Sequence, residues 1–295
     1  MEIQDKRTPT CVWTAEAQLG EGPVWSTEEQ RLYWVDILAR AIHSCSAEGD
    51  QRITISVPDV IGCIALRRSG GLVAGLGRSF AFVDLPDGKI TAFANPEEEV
   101  LGNRFNDGKC DRQGRFWAGT MDLRATRPTG TLYRLDTKLR VAPVLSGLAI
   151  TNGVGWSPDD KTLYVTDSNN REILAFDFDA HSGEVSGRRE FARVPATDGF
   201  PDGLTVSADG DVWSAHWDGW RVTRYSAGGA VREIIWMPVP RPTSCMFGGA
   251  DLSTLFVTSA TDGLTDEELD NAPLSGGLFA VSTGAVGLSE PSFAG

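Results

Sequence analysis

The sequence predicts an all-β chain folded as a six-bladed β-propeller, and three observations carry that expectation. Glycine-marked segments recur along the 295 residues with starts about 40–50 residues apart, a period typical of propeller blades. Each marker is followed by a polar turn and then by a run dense in β-branched and aromatic residues. Helical periodicity is nearly absent.

The elements follow in order. First strands are expected to begin near Gly22, Gly62, Gly108, Gly153, Gly203 and Cys245. Second strands are clearest in RLYWVD (31–36), GRFWAGTM (114–121), KTLYVTD (161–167), DVWSAHW (211–217) and TLFVTSA (254–260). The turns before them, such as SPDDK (157–161) and SADGD (207–211), carry the Asp, Gly and Pro of hairpins. Third strands are AIHSCS, SFAFVDL, GTLYRLD, EILAFDF, WRVTRYS and GGLFAVS. Only residues 265–272, TDEELDNA, suggest a turn of helix. Short strands in evenly spaced groups suit a propeller, which manages its sheet edges by radial repetition. Two β-sandwiches are the alternative, but no linker breaks the period, so residues 1–295 are taken as one domain. The ring is expected to close by pairing a strand around 11–18 with the last strands near 277–283. Trp25, Trp34, Trp117, Trp156 and Trp213 are expected to pack between blades.

Composition narrows the function classes. The net charge of -13 argues against nucleic acid or an anionic membrane as partner. The N-terminal string has no apolar run of signal length, and no stretch approaches a membrane span. Cys11, Cys45, Cys63, Cys110 and Cys245 are scattered, odd in number and free of CxxC spacing. They read as reduced thiols of a cytoplasmic protein. No blade shows a surplus apolar face, which suits a monomer or a weak homodimer.

Chemistry is expected where the repeats share a phase. Glu21, Asn106-Asp107, Asn152 and Asp202 each precede a glycine, in LGEGPVW, RFNDGKCD, TNGVGWS and PDGLTVS. Taken singly, an Asn-Gly or Asp-Gly pair is most often a turn. In a propeller, however, these strand starts meet at one mouth of the central channel. The loops at 122–130, 168–171, 216–220 and 260–276 join them there. Glu21 and Asp202 gathered without a cation would repel and raise one another's pKa, a cost that a bound divalent ion removes. All-oxygen donors suit a hard cation, and two carboxylates plus an amide leave room for water and substrate. Competing sites lack their parts. The histidines are His43, His181 and His216, no GxSxG elbow exists, and no glycine cluster lies at a strand-to-helix junction.

LGEGPVW, RFNDGKCDRQGRFWAGTM, TNGVGWS, FPDGLTV and TSCMFGG together resemble the SMP-30/gluconolactonase/regucalcin family, in its order and spacing and through nearly the whole chain. The resemblance implies a six-bladed propeller with one divalent cation in the channel (Ca²⁺, Zn²⁺, Mn²⁺, Mg²⁺ or Fe²⁺) and hydrolysis of sugar lactones. It places Glu21, Asn152 and Asp202 on metal-ligand positions and Arg104 and Asn106 on substrate positions. AHWDGWRV (215–222) looks closest to bacterial pentono- and aldonolactonases. The chain departs from the vertebrate members at TMDLRAT, where Asp122 is the nearest carboxylate and Arg124 lies near the position of a substrate-contacting glutamate.

The expected reaction is hydrolysis of an aldono-1,4- or 1,5-lactone to its aldonic acid. Asp202 is the expected general base, and Arg104, Asn106, Asp122, His216 and Trp217 are expected to contact the sugar. The rivals are a phosphotriesterase or aryl-esterase using the same metal with a more apolar pocket, and a non-catalytic calcium-binding propeller.

Overall fold

Short strands dense in Val, Ile, Tyr and Trp need both faces covered, and here each sheet is covered by its neighbours in a ring. The computed structural model describes residues 7–295; residues 1–6 of the expected span lie outside it. It is an all-β six-bladed propeller of four-stranded antiparallel sheets. The inner strands are Gly20–Ser26, Ile61–Leu66, Asn103–Cys110, Thr151–Trp156, Phe200–Val206 and Pro242–Gly248. The five second strands and six third strands named from the pattern fall where expected, and Leu72–Leu76, the second strand of the second blade, adds to them.

The outer strands have no counterpart in the sequence reading because they carry little pattern. Glu184–Arg193, EVSGRREFAR, is mostly exposed, and Lys89–Ala94 and Val231–Trp236 are nearly as open. The sixth sheet takes its outer strand from the N-terminal segment. Thr10–Trp13 pairs with Leu278–Ser282, Thr10 opposite Ala280 and Cys11 opposite Phe279, which closes the ring.

Aromatic rings lock the blades together, as expected of the tryptophans. Trp25 stacks on Phe256 with centroids 5.6 Å apart, joining blades one and six. Trp117 meets Trp156 edge-on at 5.8 Å between blades three and four, and Trp213 meets Phe247 at 5.6 Å between five and six. Each such pair adds about 0.5–1.5 kcal/mol to the burial of its rings. All five cysteines are free. The helix Asp266–Asn271 is capped by Thr265, whose hydroxyl accepts from the Glu268 N–H while the Glu268 carboxylate accepts from the Thr265 N–H.

The C-terminal segment straps the face of the ring away from the strand starts. The Ala208 N–H donates to Val286 O (2.8 Å), the Phe293 N–H to Leu66 O (2.7 Å) and the Ala294 N–H to Gly114 O (3.0 Å). Among the described residues no helix is long and apolar enough to cross a membrane.

Candidate metal centre and substrate cavity

Every inner strand slips register near its start. The slips fall between Glu21 and Val24, Ile61 and Cys63, Phe105 and Gly108, Asn152 and Val154, Pro201 and Leu204, and Pro242 and Cys245. Such a bulge leaves residues unpaired and re-aims side chains. This explains why the phased acidic and amide residues precede glycines. Gly153 sits at φ +32, and a Cβ there would lie 2.3 Å from Thr166 Oγ1 and 2.7 Å from Asp202 O. At Gly203 a Cβ would meet the Ser244 side chain at 2.1 Å. Glycine is therefore what lets neighbouring inner strands approach closely enough for Asn152 and Asp202 to meet.

The bulges open onto a cavity of about 390 Å³ lined by Glu21, Arg104, Asn106, Asn152, Asp202 and Trp217, among others. Six of the eight residues singled out in the sequence thus line one space. The Asn152 Nδ2 donates to Asp202 Oδ1 and, at 3.2 Å, to Ser168 Oγ. That orientation leaves Asn152 Oδ1 buried with no hydrogen-bond partner. Glu21 Oε2 accepts from the Gly22 N–H at 2.7 Å.

Burial first, then the charges of Asp202 and Asp107, hold the Glu21 carboxyl well above its ordinary pKa. Asp202 is raised for the same reasons, burial and the nearby Asp107. Asp107 lies in the same bulge as Asn106, where burial raises it too; its Oδ1 accepts from the Gly108 N–H at 2.7 Å. Arg104 is 8% exposed, and burial pulls its guanidinium down to about 10 against the attraction of Glu21. Its Nη1 donates to Phe105 O (2.8 Å) and Asn106 Oδ1 (2.7 Å), while Asn106 Nδ2 donates to Thr151 O (3.1 Å).

A divalent cation fits these residues. Among the described residues no three His, Cys, Asp and Glu side chains gather as a metal site would need. The candidate set instead mixes two carboxylates with one amide. An orphaned amide oxygen beside two buried, mutually repelling carboxylates is a donor set that a hard cation would satisfy at all three points.

Two expected substrate contacts need correction. His216 does not line the cavity. It is 1% exposed, with Nδ1 2.9 Å from Asp198 O and Nε2 3.3 Å from the Tyr225 hydroxyl. Successive side chains of a strand face opposite sides. In Val212–Trp217, Trp217 takes the cavity side and His216 the interior of the blade. Asp122 does not line it either. Its Oδ2 accepts from the Thr126 N–H (3.1 Å) and hydroxyl (3.0 Å), and its Oδ1 from Arg127 at 2.6 Å. The Arg127 hydrogen bond, then those from Thr126, hold its pKa down to about 2. Its carboxylate fastens its own turn.

Other lining residues carried little or no signal. Ser168, which orients the Asn152 amide, begins an expected mouth loop. The apolar wall of Leu19, Leu38, Val60, Met121, Ile150 and Phe200 had none, and it makes the cavity more apolar than the polar residues alone suggest. Arg171 stacks over Phe200 at 3.7 Å and Arg241 over Trp217 at 4.7 Å, fixing both rings. The long loop at 260–276 is fastened by Thr261 and Asp262 N–H groups donating to Gln18 O (3.2 and 2.9 Å), and Asp262 reaches the cavity.

Comparison with known proteins places this architecture. Residues 19–261 match the family described as SMP-30/Gluconolactonase/LRE-like region. A 6-deoxy-6-sulfogluconolactonase of Pseudomonas putida is 38% identical over 98% of this chain and 99% of its own. Regucalcin of Xenopus laevis is 36% identical over 97% of this chain and 98% of its own. The crystal structure of a calcium-binding protein, regucalcin, from Agrobacterium tumefaciens superimposes with a TM-score of 0.93 at 27% identity, covering 97% of each chain.

Proposed function

The chain belongs to the SMP-30/gluconolactonase/LRE-like family, and from that premise we propose that it is a divalent-cation-dependent lactonase. It hydrolyses an aldonolactone to the aldonic acid in sugar catabolism. The observation that carries the proposal is the orphaned Asn152 Oδ1 in a cavity that the Glu21 and Asp202 carboxyls also line. Relatives named for lactone hydrolysis and for calcium binding support it.

Glu21, Asn152 and Asp202 would hold the cation, which when bound supplies Lewis-acid polarisation of the lactone carbonyl. Asp202 takes a proton from the attacking water as the new carbon–oxygen bond forms. The acyl–oxygen bond of the ring then breaks, and the same proton passes to the departing ring oxygen. The product is the open hydroxy acid. Arg104 and Asn106, each immobilised by the other, hold sugar hydroxyls, and Arg104 faces the carboxylate of the product. The Trp217 indole, backed by Arg241, offers one face to the apolar side of the ring. The protein acts in the cytoplasm, as a monomer or weak homodimer.

The apolar wall favours a second reading, an aryl-esterase or phosphotriesterase on the same centre. Acid release measured by pH indicator, corrected for spontaneous hydrolysis, separates the two. Sugar lactones are expected to turn over well above phenyl acetate and paraoxon; the reverse order overturns the lactonase reading.

A further inference from the structure

One charged side chain at the cavity has no role inside the fold. Arg124 lines its mouth and also faces an adjoining pocket beside Asp122 and Arg127. Its side chain is exposed, and among the described residues it has no hydrogen bond, ion pair or ring contact. The turn that carries it is fastened on both sides. The Leu123 N–H donates to Gly102 O and the Ala125 N–H to Asp122 O, both at 2.8 Å. Ala125 holds φ 52, and its carbonyl accepts from Asn169 Nδ2 at 3.0 Å. Asp122, through Thr126 and Arg127, ties the rest of the turn.

The other arginines near the mouth are engaged: Arg104 by Asn106, Arg127 by Asp122, and Arg241 by Asp218 at 2.6 Å. The one further carboxylate on the lining, Asp262, favours the charge of Arg104. The loop is therefore built to hold a free guanidinium fork over the cavity of a chain whose net charge is -13. An acidic surface repels anions, so an unpaired cation carried on a fastened turn at the mouth has its clearest use in overcoming that repulsion locally.

We propose that Arg124 is a specificity-determining residue that selects lactones bearing an anionic group on the ring substituent away from the reacting carbonyl. The inference rests on the lactonase reading above. A guanidinium presents paired donors that match carboxylate, sulfonate and phosphate oxygens alike. The adjoining pocket, about 520 Å³, gives such a substituent room.

The test compares kcat/KM for gluconolactone, glucarolactone and phosphogluconolactone with cation-replete protein. The two charged lactones separate a carboxylate from a tetrahedral anion. At least one is expected to outrun the neutral lactone. Arg124→Ala is expected to lower that anionic-over-neutral ratio about fivefold, the worth of a well-formed charge-assisted pair at an exposed site. Arg124→Lys restores part of it, and added salt erodes it.

Binding is read separately by calorimetry with the unreactive ring anhydroglucitol and its phosphate. The wild type is expected to bind the phosphate about fivefold more tightly, and Arg124→Ala to lose that margin. If every lactone is inert, the lactonase reading fails, and the calorimetric margin alone decides for or against Arg124. Equal ratios in wild type and Arg124→Ala, or equal binding of the two rings, overturn the proposal.

Discussion

Replacing His216 by asparagine isolates a buried titration whose size the structure sets. Burial, above all, lowers the His216 pKa to about 4 from an ordinary 6.5; the Asp198 carbonyl pulls the other way and the Arg221 charge adds to the lowering. A group whose folded pKa is depressed binds fewer protons folded than unfolded between those values. Its contribution to stability is thus complete above pH 6.5 and is lost as pH falls toward 4. The shift amounts to about 3 kcal/mol in full, and about 2 kcal/mol is already lost at about pH 5. In a chain of this size a loss of about 2 kcal/mol moves Tm by about 3 °C. The asparagine amide would keep a donor for Asp198 O but cannot titrate. The buried carboxyls Glu21, Asp107 and Asp202 are raised instead, so their linkage has the opposite sign, but it is common to both proteins and cancels in the difference. Thermal unfolding of wild type and His216→Asn, followed from about pH 7.5 to about pH 5, should therefore show Tm of the wild type falling about 3 °C further. Parallel curves would refute the claim that the ring is buried and neutral.

Three further outcomes follow from the cavity. Asp202→Asn should reduce kcat by at least about a hundredfold while circular dichroism stays unchanged; retained turnover would remove Asp202 as the base. Arg104→Ala should mainly raise KM, and a loss confined to kcat would move Arg104 to the transition state. Ser168→Ala frees the Asn152 amide to rotate and should weaken cation affinity about tenfold in a calorimetric titration, as loss of an outer-shell partner does; unchanged affinity would show that Ser168 does not set the amide.

What the sequence made legible was whatever repeats. The Xaa-Gly pairs at Glu21, Asn152 and Asp202 stand out because each marks a bulge in an inner strand; Gly153 and Gly203 admit the close approach of the next blade, and Gly22 holds φ +52. Inner and middle strands are readable from their β-branched and aromatic runs. Outer strands such as Glu184–Arg193 are not, because solvent covers much of their surface and leaves no alternation to find. Reading His216 and Trp217 together as contacts ignores that neighbours in a strand face apart. Asp122 misleads for a different reason: a carboxylate at a strand end is satisfied as readily by its own turn as by a ligand, and nothing in TMDLRATR distinguishes the two. The apolar cavity wall comes from single residues of several blades, which no local pattern unites.

The central claim is tested most directly by stripping the protein with a chelator and titrating single cations back while acid release from gluconolactone is followed. The account predicts negligible turnover above the spontaneous rate in the stripped protein and activity that saturates at one equivalent of cation. Full turnover by the stripped protein, or none with any of Ca²⁺, Zn²⁺, Mn²⁺, Mg²⁺ and Fe²⁺ restored, would contradict it.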